Sequence, residues 1–258
     1  MPEIIDAHTH IFPDDVADKA VASLHAVYGA DPVRPPTVEG LLAEMDASGV
    51  ARSVIAPVST KPSQVRSIND FVPGLGEPRI IAFGSVHPHF DGLEDELRRL
   101  EAAGVCGLKT QPFFQGYDFA DPRAREMFDL IGDRFALLIH GGQEIVDIQN
   151  VIPNPPALAR LHRDFPKLRL IVAHMGGYNM WDAVEEHLVG EDVHFDLSYT
   201  FNCAPDDLVR RLCSAYGWER CIFGSDFPWQ GQAEALAGLT RMGLDDETLA
   251  GVLAGNLK

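Results

Sequence analysis

The sequence predicts an α/β fold, a closed (β/α)8 barrel built as a single domain over residues 1–258. Three observations carry that expectation. Eight short apolar runs, many of them β-branched, begin about 30 residues apart, the length of one strand-plus-helix unit. Those runs are continuously apolar rather than alternating, so both of their faces are buried, as in a parallel sheet covered by helices. A chain of 258 residues also matches the length of about 250 that one such barrel takes. An open doubly wound sheet is the alternative, separated from a barrel only by the strand count.

The first strand is read at residues 3–7. A Pro-rich surface loop at 31–36 and an additional helix at 37–48 separate it from the second strand, 53–57. The third strand is 80–84, and the helix after it, 91–103, carries Leu93, Leu97 and Leu100 on one face with Glu94, Glu96 and Arg98 toward water. Strand 104–109 leads to a helix with Pro122 in its first turn behind an Asp121 cap. Strand 136–139 is followed by helix 156–165, where Leu158, Leu161 and Phe165 share a face and Pro166 stops the chain. Strand 168–173, helix 182–188, strand 193–196, helix 205–216 and strand 221–224 complete the alternation, and residues 245–254 close it.

Composition narrows the function. The chain is 46 % hydrophobic and 9 % aromatic, enough to pack a core, and its formal charge is −17. Such an acidic balance argues against nucleic acid and against an anionic membrane surface as partners, and leaves a small-molecule substrate. The apolar run from Phe135 to Ile139 is far shorter than the roughly 20 residues of a membrane span. The start, MPEIIDAHTH, lacks the basic-then-apolar pattern of a secretory signal. Cys106, Cys203, Cys213 and Cys221 form no CxxC pair, so a reduced, cytoplasmic protein is expected.

In a barrel the strands' C-terminal ends hold the chemistry. Period-two alternation puts His8 and His10 on one face of the first strand, about 7 Å apart along it, near enough to converge on one ion. The fifth strand runs into His140-Gly141-Gly142, the sixth into His174-Met175-Gly176-Gly177, the eighth into Asp226-Phe227-Pro228. Any one of these could be a hydrogen-bonded core residue; five such residues at strand ends point to a shared site. Imidazole and carboxylate without thiolate suit Zn²⁺, or a harder ion such as Mn²⁺. No GxSxG, P-loop or GxGxxG is present.

The segments IIDAHTHIFP, LLIHGG, IVAHMGG and FGSDFP together resemble the signature of the amidohydrolase superfamily, and within it the amidohydrolase-related branch of TIM-barrel, metal-dependent hydrolases. That branch includes aminocarboxymuconate-semialdehyde decarboxylase, resorcylate-type decarboxylases and lactone hydrolases. The likeness runs from Ile4 to Gly255-Asn256, which is similar to the start of the family's closing GNA motif. It implies that His8, His10, His140 and Asp226 bind one divalent ion, most simply zinc, with manganese as the other choice. It implies that His174 stands beside the ion's water as acid or base, and that Asp226 is catalytic as well as a ligand. The family often self-associates, so a homo-oligomer is compatible with it.

Lys109 ends the fourth strand in Gly107-Leu108-Lys109-Thr110-Gln111-Pro112. In binuclear members of the superfamily a lysine here is carboxylated and bridges two metals. A substrate-anion partner and a structural salt bridge are the other readings. Gln111 stands where the branch's GxKxHP-like stretch often has His. Lys109, Gln111, Trp229 and His87 are the candidate substrate-binding residues, with a rim aromatic and a solvated loop as the plain readings of Trp229 and of His87-Pro88-His89. His25, His162, His187 and His194 are read as structural.

Two enzymatic functions follow. The leading one is a metal-dependent hydrolase acting on a small carboxylate-bearing or cyclic substrate, a lactone or amide. The other is a metal-dependent, non-oxidative decarboxylase of a small unsaturated or aromatic acid. Arg34, Arg52 and Lys61 are not convincingly placed as the acid clamp that decarboxylation favours, and the chain leaves little room for long covering insertions. A third reading, a non-catalytic barrel that keeps metal ligands for stability or serves as a binding module, is favoured by a filled barrel mouth or by full function in Asp226→Asn.

Overall fold

The computed structural model describes residues 3–144 and 153–257. Among them eight parallel strands follow one another around the sheet in chain order. They are β1 (Ile5–Thr9), β2 (Arg52–Ile55), β3 (Ile80–Ser85), β4 (Gly107–Thr110), β5 (Ala136–Ile139), β6 (Arg169–Val172), β7 (His194–Asp196) and β8 (Cys221–Ile222). The chain after β8 turns back onto β1: Ala7 N–H donates to Phe223 O, and Thr9 bridges Phe227 in parallel. The fold is a single-domain (β/α)8 TIM barrel, and the doubly wound alternative is excluded by that return.

The helices form the outer ring. Between β1 and β2 lie α1 (Asp14–Tyr28) and α2 (Val38–Ser48), and α3 (Val65–Gly74) joins β2 to β3. Then come α4 (Leu93–Ala102), the short α5 (Pro112–Gln115), α6 (Pro122–Ile131), α7 (Pro155–Asp164), α8 (Trp181–His187) and α9 (Asp206–Tyr216). After β8 the chain ends in α10 (Gln232–Thr240) and α11 (Asp246–Leu253). Side-chain caps at Thr37, Asp121, Asn154 and Asp245 fix the starts of α2, α6, α7 and α11.

Besides the one-turn α5, three helices escape the sequence reading, each for a local reason. α1 buries only Ala17 fully among its described side chains, so it lacks a core-facing stripe. α3 ends in Pro73-Gly74, which reads as loop punctuation although the helix runs through both. α10 is Ala- and Gly-rich and weakly patterned. The first strand is also displaced. It runs to Thr9 rather than ending at residue 7, because Thr9 Oγ1 donates to Val54 O at 2.7 Å and extends pairing past His8.

Two cores hold the barrel. The larger lies between strands and helices. The smaller fills the interior with Ala7, Val54, Ala56, Phe83, Leu138, Ile171, Ala173 and Ile222. Phe83 stands opposite Gly107 in the β3–β4 register, and its ring occupies the space a side chain at 107 would take. A Cβ at Gly107 would lie 2.3 Å from that ring. Gly107→Ala is therefore expected to destabilise the protein by about 1–3 kcal/mol. The check is the urea midpoint at unchanged m-value, with part of the loss recovered by adding Phe83→Leu.

Candidate active site and metal centre

The strand ends deliver the predicted residues to one rim. His8 lies within β1 and His10 just beyond it; Lys109 is in β4, His140 follows β5, His174 and Asp226 follow β6 and β8. One ligand atom each from His8, His10 and Asp226 falls within 4.8 Å of the others. His8 Nε2 is 3.2 Å from His10 Nε2, and Asp226 Oδ1 is 3.6 Å from the first and 3.3 Å from the second. His140 stands outside this trio and joins it through His174, whose Nε2 lies 3.1 Å from His140 Nδ1.

Hydrogen bonds on the far side of the His8, His174 and His140 rings fix their tautomers. His8 Nδ1 faces Asp196 Oδ2 at 2.8 Å and so carries the proton, leaving Nε2 as a lone pair. His174 Nδ1 faces the Ser198 carbonyl at 3.1 Å, and His140 Nε2 faces the Gln143 carbonyl at 3.1 Å. Both therefore donate outward, and two bare lone pairs meet between His174 Nε2 and His140 Nδ1. The Lys109 ammonium, 3.1 Å away, meets the His8 Nε2 lone pair, whereas those of His174 and His140 face each other. The donor set fits a divalent ion, with His8, His10 and Asp226 as the residues that would hold it.

Electrostatics agree with neutral imidazoles. Burial and the Lys109 charge push His8 down to about 3, against the pull of Asp196 and Asp226. The same two causes lower His140 to about 4, and burial with His140 lowers His174. Burial pushes Asp226 up, but the His10 hydrogen bond and the neighbouring His8 and His174 outweigh it and hold it well below the usual carboxylate range. Asp196 is held low in the same way, burial being overcome by His8 and by hydrogen bonds that include Ser198. Burial brings Lys109 down to about 8 despite the charges of Asp196, Asp226 and Glu144.

The backbone is strained where the chemistry sits. His174 and Asp226 adopt left-handed φ values of 60° and 71°, each costing about 1–3 kcal/mol for a non-glycine residue. Neighbouring hydrogen bonds hold them there: His174 N–H donates to Asp196 Oδ1, and Asp226 N–H donates to His8 O. Gly142, at φ 85°, explains the glycines after His140. A Cβ there would lie 2.3 Å from the Tyr178 backbone, with which Gly142 forms a parallel bridge that clamps the His140 and His174 loops together.

A cleft of about 700 Å³ opens onto the trio, lined also by Lys109, Gln111, His140, His174 and Trp229. The barrel mouth is thus open, unlike a closed structural metal site. Lys109 is buried with Nζ 3.1 Å from His8 Nε2. Gln111 Nε2 donates to Glu144 Oε1, which also lies 3.2 Å from His140 Nε2. His87 does not line the cleft; it is buried beside His89, whose N–H it accepts. Arg34 and Arg52 pair with Glu44 and Glu3 away from the cleft. The sequence reading passed over Asp196, Ser198, Glu144, Tyr178 and Tyr199. Asp196 had a signal, an acid ending the seventh strand, by the same rule that selected Asp226. Glu144, Tyr178 and Tyr199 had none.

No curated protein matches the chain in sequence. Among solved structures it is similar to 5-carboxyvanillate decarboxylase LigW from Sphingomonas paucimobilis, with 17 % identity and a TM-score of 0.75, covering 100 % of this chain and 98 % of that one. It is similar to 5-carboxyvanillate decarboxylase from Novosphingobium aromaticivorans, crystallised with manganese and 4-hydroxy-3-methoxy-5-nitrobenzoic acid, at 15 % identity and a TM-score of 0.73. That match covers 99 % of this chain and 94 % of the other. A third is a candidate 2-pyrone-4,6-dicarboxylic acid hydrolase from Pseudomonas putida, at 16 % identity and a TM-score of 0.68, covering 100 % and 96 %. At these identities the likeness establishes the shared barrel. The family model described as amidohydrolase matches residues 5–256, the span that carries every strand and every residue of the centre, so the chain belongs to the amidohydrolase family.

Proposed function

We propose that this protein is a metal-dependent hydrolase that opens a carboxylic ester, lactone or amide bond in a small organic substrate. His8, His10 and Asp226 would hold a divalent ion, which when bound would supply Lewis-acid polarisation of the carbonyl and a more acidic water. Asp226, ionised and touching both imidazoles, is placed to accept the proton of that water. His174, with its Nδ1–H tied to the Ser198 carbonyl, has a bare Nε2 that takes the water's proton on from Asp226 and passes it to the leaving group. Asp196 keeps His8 in the tautomer that leaves Nε2 bare. Lys109 offers a buried positive charge to a substrate carboxylate, and Trp229, Tyr178 and Tyr199 wall the cleft.

The observation that carries hydrolysis is the pairing of two proton acceptors, Asp226 and His174, at the trio. Hydrolysis begins by removing a proton from water, whereas decarboxylation needs an acid to protonate carbon. Decarboxylation of a planar acid is the second reading. It is supported by the aromatic cleft lining of Phe114, Tyr178, Tyr199 and Trp229 and by the two decarboxylases of similar fold.

Elemental analysis of the purified protein is expected to give about one divalent ion per chain, zinc or manganese. His8→Ala and Asp226→Asn should lose most of it. His174→Ala should keep the ion and lower kcat by about 10²–10⁴-fold; loss of the ion would make His174 a ligand. A panel of lactones, esters, amides and aromatic acids, assayed in parallel for acid release and for CO₂, separates the two readings. Acid without CO₂ supports the hydrolase, and CO₂ from an aromatic acid replaces it with the lyase.

A further inference from the structure

The cleft is larger than a single-ring acid requires. Its volume of about 700 Å³ lies within the roughly 300–1,000 Å³ of sites that enclose drug-sized ligands. Much of its lining comes from two helices outside the barrel. Val16, Ala20 and Leu24 of α1 border it, as do Ser67, Ile68, Phe71 and Val72 of α3. The α1 residues fall at intervals of four, one stripe about 12 Å long. A surface helix ordinarily turns such a stripe onto the core. Here Ala17 is the only fully buried one of α1's described side chains, and Val16 is 39 % exposed. The stripe instead faces open volume that is continuous with His8, His10 and Asp226. Lys19 is the only charged side chain that α1 and α3 contribute to the lining, and it is exposed.

We infer that the substrate has a carboxyl or carbonyl head on an extended apolar tail, the head engaged at the metal centre and the tail lying along α1 and α3. The inference rests on the cleft being the substrate site, and it names the class within that reading: long-chain alkyl or arylalkyl acids, esters or lactones rather than compact one-ring acids. The physical basis is burial of methylene groups against the two helix faces, each adding a similar increment of affinity until the volume is filled.

The test is titration calorimetry of the metal-loaded protein with straight-chain carboxylates from butanoate to decanoate. One site per chain is expected, with Kd falling about threefold to fourfold for each added methylene before it levels off. Ala20→Phe and Ser67→Phe, which intrude on the tail path from α1 and from α3, should leave butanoate binding unchanged and make the gain level off at a shorter chain. A Kd independent of chain length overturns the inference, as does a series unaltered in both variants. Failure of the functional reading looks different. Tight chain-length-dependent binding without turnover of γ-decanolactone removes the hydrolase and keeps the tail site. Turnover of lactones regardless of chain length removes the tail site and keeps the hydrolase.

Discussion

Asp196 is fully buried at the end of β7, and four donors converge on its carboxylate. Oδ2 takes the Nδ1–H of His8; Oδ1 takes the backbone N–H groups of His174 and Ser198 and the Ser198 hydroxyl. One side chain thereby sets the tautomer of a ligand from β1 and the backbone of the loop after β6. A buried carboxylate is tolerable only when its lone pairs are occupied. Here the groups that occupy them belong to the candidate metal centre, so stabilising the acid and orienting His8 and His174 are the same set of hydrogen bonds.

A second buried acid works one layer deeper. Asp6 accepts from His8 N–H, Ser225 N–H, Ser225 Oγ and Gln232 Nε2, tying β1 to the chain that leaves β8. Burial raises its carboxyl to about 6, against the lowering effect of those four bonds. His8 and Asp226 lie one or two residues beyond these anchors, which is how segments more than 200 positions apart present ligand atoms within a few ångström. The left-handed φ at Asp226 and His174 is sustained because both are held from several directions.

Charge balance organises the rest. Lys109 is the buried cation of the centre, and it feels Asp196, Asp226 and Glu144 while pressing on the lone pair of His8. Its charge is one cause of the low imidazole values, and neutral imidazole is the form that binds a metal. Lys109 Nζ lies 3.1 Å from His8 Nε2, and the residue borders the cleft. Outside the barrel, α1 turns Val16, Ala20 and Leu24 to the cleft.

The barrel was legible because burial on both faces leaves its mark in the order of residues: a run such as Ala136–Ile139 has no polar position, and its length and spacing repeat. His8 and His10 were legible from period-two alternation, and His140, His174 and Asp226 as ligand-capable groups following such runs beside glycine or proline. Asp196, Glu144 and the cleft face of α1 were not, because their roles exist only in contacts. A carboxylate orients a histidine 188 positions away only after β7 and β1 are brought to one rim, and a stripe of Val16, Ala20 and Leu24 faces a cleft or a core according to where the helix is set down. Sequence determined which side chains could bind an ion, since that is a property of each group; tertiary structure decided which lone pairs face one another, since that depends on distances the linear chain does not contain.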